Sequence, residues 1–468
     1  MRSTEKGTSS NIQADVPDLM NLRSILQGQL VLPGDPGYDE ARRVFNDMID
    51  RRPAAIARCI TTDDVVACID TARTSGIPVT VRGGGHGVAG HSVNDGALMI
   101  DLSLMKGITV DVDRGIAHVE PGVRLGEMIE ATERYGMVTP TGTASDTGVA
   151  GLTLGGGMGW IGGKFGLAVD NLVGAEVVLA SGETVHASAD EHPDLYWALR
   201  GGSGNFGVVT RFDLRLHPLR QVTGGMLIHP FERAREVLQF YREVASSAPD
   251  ELIVFAVLLT APDGNKAIAL IPCWCGEEEG AEGVLAPIRG FGPPLVDLVQ
   301  TMPYSQMNQL IDQAAPPGRR NYWKQAFADQ LEDDGIDTVI DLFDRVPSSH
   351  SAILIDMLHG ATTRVAPDVT AFAHRNARFG FVMLSMWTDP AKDDENIKWT
   401  RELFDAMSPF TTGGIYVNES QDDRAQSVFG ENYARLATIK ARYDPTNLFR
   451  HFANIAPPSV PSTDRAAD

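Results

Sequence analysis

The chain has 468 residues, 43% of them hydrophobic and 22% charged, with a formal net charge of −21. That length exceeds one ordinary core and predicts two or three domains. The acidic balance repels phosphate backbones and anionic lipid, which argues against nucleic acid as a partner, and no apolar run approaches the ~20 residues of a membrane span.

The first stretch, "MRSTEKGTSSNIQADVPDLM", is polar and lacks the apolar core of a secretory signal. It reads as a partly disordered leader within an N-terminal segment 1–49, with the cytoplasm as default location. From Pro53 to about Leu216 strands and helices alternate. "AAIARCI" is a β-type run, "TTDDVVACIDTARTSG" opens on Thr/Asp cap signals and closes on Gly76, and "IPVTVR" is a strand, together a strand–helix–strand unit. Further β runs follow at "ALMIDLS", "GITVDV", "IAHVEP", "VGAEVVLA" and "FGVVTRFDLRL", with helices at "RLGEMIEATERYG" and "HPDLYWALR". The pattern is α+β and predicts a domain over 50–218.

The character changes over 219–412, where longer helices and strands with more proline predict a second domain. The segment 413–459 holds the helix "ENYARLATIKARY", a turn at Asp444–Pro445 and "NLFRHFANIAPP", followed by a tail 460–468. The four cysteines, Cys59, Cys68, Cys273 and Cys275, have neither the number nor the spacing of a disulfide framework or a zinc site, and read as small buried hydrophobes. No metal is expected.

Glycine is concentrated in three places: "VRGGGHG", "GTASDTGVAGLTLGGGMGWIGGKFG" and "GGSGNFG". Interleaved Val, Leu, Met, Trp and Phe in the second argue for close packing against a ligand or another backbone rather than disorder. Two sets fit G-x-G-x-x-G formally, Gly157, Gly159 and Gly162, and Gly202, Gly204 and Gly207. A Rossmann fingerprint follows a strand and opens a helix. The second set follows a helix and feeds a strand, the first follows no clear strand, and Lys164 lacks the Ser or Thr of a P-loop. Three loops of successive backbone N–H groups still suit a long ligand with a diphosphate centre. His86, behind three glycines, can be a structural histidine, a metal ligand or a nucleophile. A metal is disfavoured because only His91 lies nearby.

These stretches, "VRGGGHGVAGHSVNDGALMIDLSLM", "TGVAGLTLGGGMGWIGGKFGLAVDNLVGAEVV", "WALRGGSGNFGVVT" and "NYARLATIKARYDPTNLFRHFANI", resemble in order the berberine-bridge-enzyme-like oxidases of the vanillyl-alcohol-oxidase/PCMH-type FAD flavoproteins. The resemblance covers about 50–218 and 413–459. It implies a two-subdomain FAD-binding domain, an α/β substrate domain and a C-terminal segment returning to the flavin. His86 is then the residue bonded to the 8α carbon of FAD, with His91 as the off-register alternative. A neutral imidazole can attack that carbon, and glycines remove side chains that would hold the ring away. The family's second attachment point, a cysteine, falls on Ala144 or Ser145, so the implied link is single.

The same resemblance assigns cofactor contacts to Arg82, Gly83, Gly84, Gly85 and Gly87, and to Thr147, Gly148, Gly151, Gly155, Gly156, Gly157, Gly159 and Asn171. Gly204, Asn205, Gly207, Val208 and Val209 fall to the AMP half, and Asn454 beside the ring. Thr147 falls where relatives carry a residue that gates O2. The family's Tyr-x-Asn-Tyr pattern reads Tyr416-Val417-Asn418-Glu419 here, making Tyr416 and Glu419 the candidates for the base. The implied activity is removal of a hydride beside an alcohol or amine of a small molecule, with O2 as acceptor. A dehydrogenase using another acceptor and an idle FAD-fold binder are the alternatives.

Overall fold

The structure, a computed structural model, describes residues 16–421, 424–450 and 453–458; most of the leader, the tail 460–468 and His451–Phe452 of the C-terminal stretch lie outside the described residues. The end of the stretch read as a leader is ordered. Val16–Ile25 is a helix, and its Leu19 and Leu22 are buried against the first sheet, an apolar anchor that the polar first half of the stretch hides.

The strand–helix–strand unit forms as its punctuation dictates. The Thr61 hydroxyl accepts from Asp64 N, Gly76 takes the left-handed φ of 68°, and the helix Thr62–Ser75 between them buries Val65, Cys68, Ile69 and Ala72. Its flanking strands Ala55–Arg58 and Val79–Arg82 both pair parallel with Leu98–Asp101, and Gln29–Val31 closes the far edge antiparallel. Val79–Arg82 is therefore an edge strand that delivers the chain into the glycine turn.

A second sheet is antiparallel throughout, ordered Ile108–Asp111, Ile116–Val119, Val208–Arg215, Leu172–Val178 and Thr184–Ser188. Its core joins Val119, Val177 and Phe212 to Leu125 and Met128 of the helix Leu125–Glu133 and Trp197 of the helix Pro193–Leu199. The C-terminal helix Tyr433–Tyr443 packs Leu436 into the same core. The segment is locked there by a buried pair: Lys440 Nζ donates to Asp444 Oδ2, Asn205 O and Phe449 O, each at 2.6 Å.

The middle of the chain builds a nine-stranded antiparallel sheet. In Leu252–Thr260, Val254, Ala256 and Leu258 pack on helices through a core shared with Val237, Val339 and Leu403, whereas Phe255, Val257 and Leu259 face the other way. Phe379–Trp387 alternates likewise, with Phe381 and Met383 toward the helices and Val382 and Leu384 opposite. The period of two along each strand thus leaves one sheet face for a cavity. No helix among the described residues is long and apolar enough to cross a membrane.

Candidate functional site

After Arg82 the chain turns through Gly83–Gly87 against a second glycine turn. A Cβ on Gly84 would stand 2.5 Å from Gly148 Cα, so these two backbones touch only because both are glycine. Gly85 takes a left-handed φ of 70°. The turn presents His86 to a cavity of about 980 Å³. Its imidazole stacks on Phe45 with centroids 4.2 Å apart, and its Nε2 lies 3.1 Å from Asp146 Oδ1. Burial acts to raise the Asp146 carboxyl, but the His86 contact and other favourable partners outweigh it and hold it below the ordinary carboxylate range.

The cavity is bounded on one side by Gly83–Gly87, Thr147, Gly148 and Gly151, and by Gly204, Asn205 and Gly207 with the first strand residues after them, Val208 and Val209. Gly87, Gly151 and Gly204 have no atom within 4 Å of where a Cβ would stand, so bare backbone faces open space. The facing wall is the nine-stranded sheet, and Tyr416–Glu419 comes between them. His91 and Ala144 also line the cavity, and Ser145 is bound to Asp312 through its N at 2.9 Å and its Oγ at 2.5 Å. All four cysteines are buried elsewhere.

Several expected contacts do not line the cavity. Arg82 donates to Ala41 O at 2.6 Å. Gly155, Gly156, Gly157 and Gly159 are packed where a Cβ would strike Asn418, Tyr416 with Phe372, Ala168 and Thr141 O respectively. Their glycines serve protein packing. Asn171 spends its amide N on Phe165 O and Leu167 O, both at 2.9 Å, and its Oδ1 accepts from His217 at 2.6 Å. Asn454 is half-buried outside the lining, with Oδ1 lacking a partner among the described residues, while the adjacent Ile455 N donates to Asn205 Oδ1 at 3.2 Å.

The base candidates converge. Tyr416 is anchored by its N on Gln325 Oε1 at 2.5 Å, and its phenol oxygen accepts from Gly157 N and Asn418 Nδ2, both at 2.8 Å. Burial and the Glu419 charge push the phenol up, and those donors only partly offset it. Glu419 is half-buried, its Oε2 shielded from solvent and lacking a partner among the described residues, and desolvation, then the charge of Asp356, pushes it well above the ordinary carboxylate range. Asp356, buried in the strand Ala352–Met357, is pushed up to about 7 by burial. Sequence reasoning missed Asp356. Its signal was one acid at a cavity-side position of the apolar strand "AILIDM".

Comparison with known proteins gives two family matches, an FAD binding domain over residues 53–188 and a berberine and berberine-like region over 415–456. The uncharacterized FAD-linked oxidoreductase YgaK of Bacillus subtilis is 32% identical over 445 residues, covering 92% of this chain and 97% of that protein. The (R)-6-hydroxynicotine oxidase of Paenarthrobacter nicotinovorans is 30% identical over 450 residues, with the same coverage of each. Among solved structures, 6-hydroxy-D-nicotine oxidase from Arthrobacter nicotinovorans superposes with a TM-score of 0.85 at 28% identity, covering 92% of this chain and 98% of that one. A chitooligosaccharide oxidase does so with 0.84 at 25%, covering 94% and 100%.

Proposed function

Since the chain belongs to the FAD-linked oxidoreductases with a berberine-like C-terminal region, we propose that it is an oxidase of a small-molecule alcohol or amine, with FAD held by a single covalent link through His86. The observation that carries this reading is the placement of His86 and the unpartnered Glu419 carboxyl on one cavity. The bare backbones of Gly87, Gly151 and Gly204 suit a cofactor that needs close approach.

FAD, held through His86 and against the bare backbones of Gly87, Gly151 and Gly204, would supply a two-electron acceptor, with O2 as the onward acceptor giving H2O2. The substrate loses a hydride from carbon and a proton from oxygen or nitrogen, leaving C=O or C=N. Glu419 receives that proton at Oε2, and Tyr416, fixed by two donors, orients the reacting group. Asp146 holds the His86 Nε2 proton and leaves Nδ1 as the nucleophilic nitrogen. Thr147, small and polar on the cavity wall, leaves room for O2.

The test is direct. The purified protein keeps its yellow colour after acid precipitation, and His86→Ala releases its flavin to acid. Glu419→Gln slows anaerobic flavin reduction roughly 100- to 10,000-fold; a rate within a few-fold of the parent removes Glu419 from the mechanism. Reoxidation of reduced enzyme by O2 slower than turnover with an artificial acceptor would make it a dehydrogenase.

A further inference from the structure

The substrate side of the cavity has a chemical character of its own. Val257, Leu354 and Val382 stand directly opposite one another across three neighbouring strands, and Phe255 stands opposite Ile271. All five side chains line the cavity, as does Leu384. They form a continuous apolar wall with no group able to donate or accept a hydrogen bond. Three of the polar residues that also line the cavity are engaged with protein: Asp312 holds Ser145, Arg319 donates to Ala314 O at 2.9 Å, and the Ser351 hydroxyl is bonded to Met386 O at 3.2 Å.

Carboxyls stand at one end of this wall. Asp356 follows Leu354 by two residues, on the same face of the same strand, so the wall gives way to carboxyls within about 7 Å. A contiguous apolar surface left open in a cavity marks a ligand-binding groove for an apolar group.

Resting on the oxidase reading above, we infer that the substrate is a hydrophobic ring compound with a single oxidisable CH–OH or CH–NH group, and not a saccharide. The rings lie against Phe255, Val257, Leu354 and Val382, and the lone polar group reaches Glu419. A sugar on this wall leaves its remaining hydroxyls dehydrated and unpaired, at a loss of roughly five- to hundredfold in affinity for each.

The experiment uses the holoprotein and two pairs of probes: 1-tetralol and 1,2,3,4-tetrahydroisoquinoline against cellobiose and xylobiose. Binding is read from the fluorescence of Trp160 and Trp323, which line the cavity, and oxidation from anaerobic flavin bleaching. The ring compounds half-saturate at concentrations at least a hundredfold below the sugars. Val257→Thr, which sets a hydroxyl on the wall at nearly constant volume, weakens ring-compound binding several-fold. Sugars binding within tenfold of the ring compounds, or ring-compound binding unchanged in Val257→Thr, overturns the inference. The two readings fail separately. Ring preference without bleaching by any probe sinks the oxidase reading and leaves the substrate class standing; bleaching by sugars with weak ring-compound binding does the reverse.

Discussion

Asp356→Asn should make the protein less sensitive to rising pH. Asp356 is held at about 7 by burial against an ordinary value of 3.8. Between those values the folded protein keeps a proton that the unfolded chain releases, so this group's contribution to stability is fully present below pH 3.8 and is lost as pH rises to about 7. The full difference corresponds to about 4 kcal/mol. For a chain of 468 residues, an unfolding entropy of about 2.1 cal/mol/K per residue amounts to roughly 1 kcal/mol per kelvin, so the expected effect is about 4 °C in Tm. The assay is thermal unfolding of holoprotein at pH 4 and pH 8. The parent loses about 4 °C more than Asp356→Asn across that interval. Parallel losses in the two proteins would refute the argument that a buried, unpartnered carboxyl sits there.

Three other outcomes are expected. Asp356→Asn also shifts the rise of the flavin-reduction rate to lower pH, because Glu419 then ionises without a neighbouring charge; stopped-flow pH profiles check this. Asp146→Ala slows covalent attachment roughly ten- to hundredfold during reconstitution of apoprotein, measured as acid-precipitable flavin, since a charge-assisted hydrogen bond to the imidazole is worth about 1.5–3 kcal/mol. Lys440→Met leaves Asp444 buried without its cation and destabilises the protein by about 3–5 kcal/mol, read from chemical unfolding.

Local signals carried the N-terminal half of the fold far. Thr61 and Gly76 bracket their helix as capping chemistry requires, and the β runs around 108–119, 172–178 and 208–215 form one sheet. The strand Thr184–Ser188 was not legible, being short and polar at alternate positions. The pairing of Val257 with Leu354 and Val382 was out of reach, since register between distant strands leaves no trace in local periodicity. In the site, glycine density drew attention to Gly83–Gly87, which line the cavity, yet the same density at Gly155–Gly159 answers to packing against Asn418, Tyr416, Ala168 and Thr141. Composition cannot separate those two uses of glycine. Asp146 and Asp356 escaped notice because each matters through a partner that only the fold brings near, His86 in one case and Glu419 in the other.

The Lys440 clamp has a bearing on how the protein matures. Its ammonium ties the C-terminal helix to Asn205, in the loop that forms part of the cavity, and to Phe449 beyond it. A ribosome that has released residues 1–215 has supplied both glycine turns and every strand of the first two sheets, yet neither Glu419 nor the clamp that steadies the loop. The cavity is thus closed by residues far apart in the chain, Gly83–Gly87 from its first fifth and Tyr416–Glu419 from beyond its middle sheet.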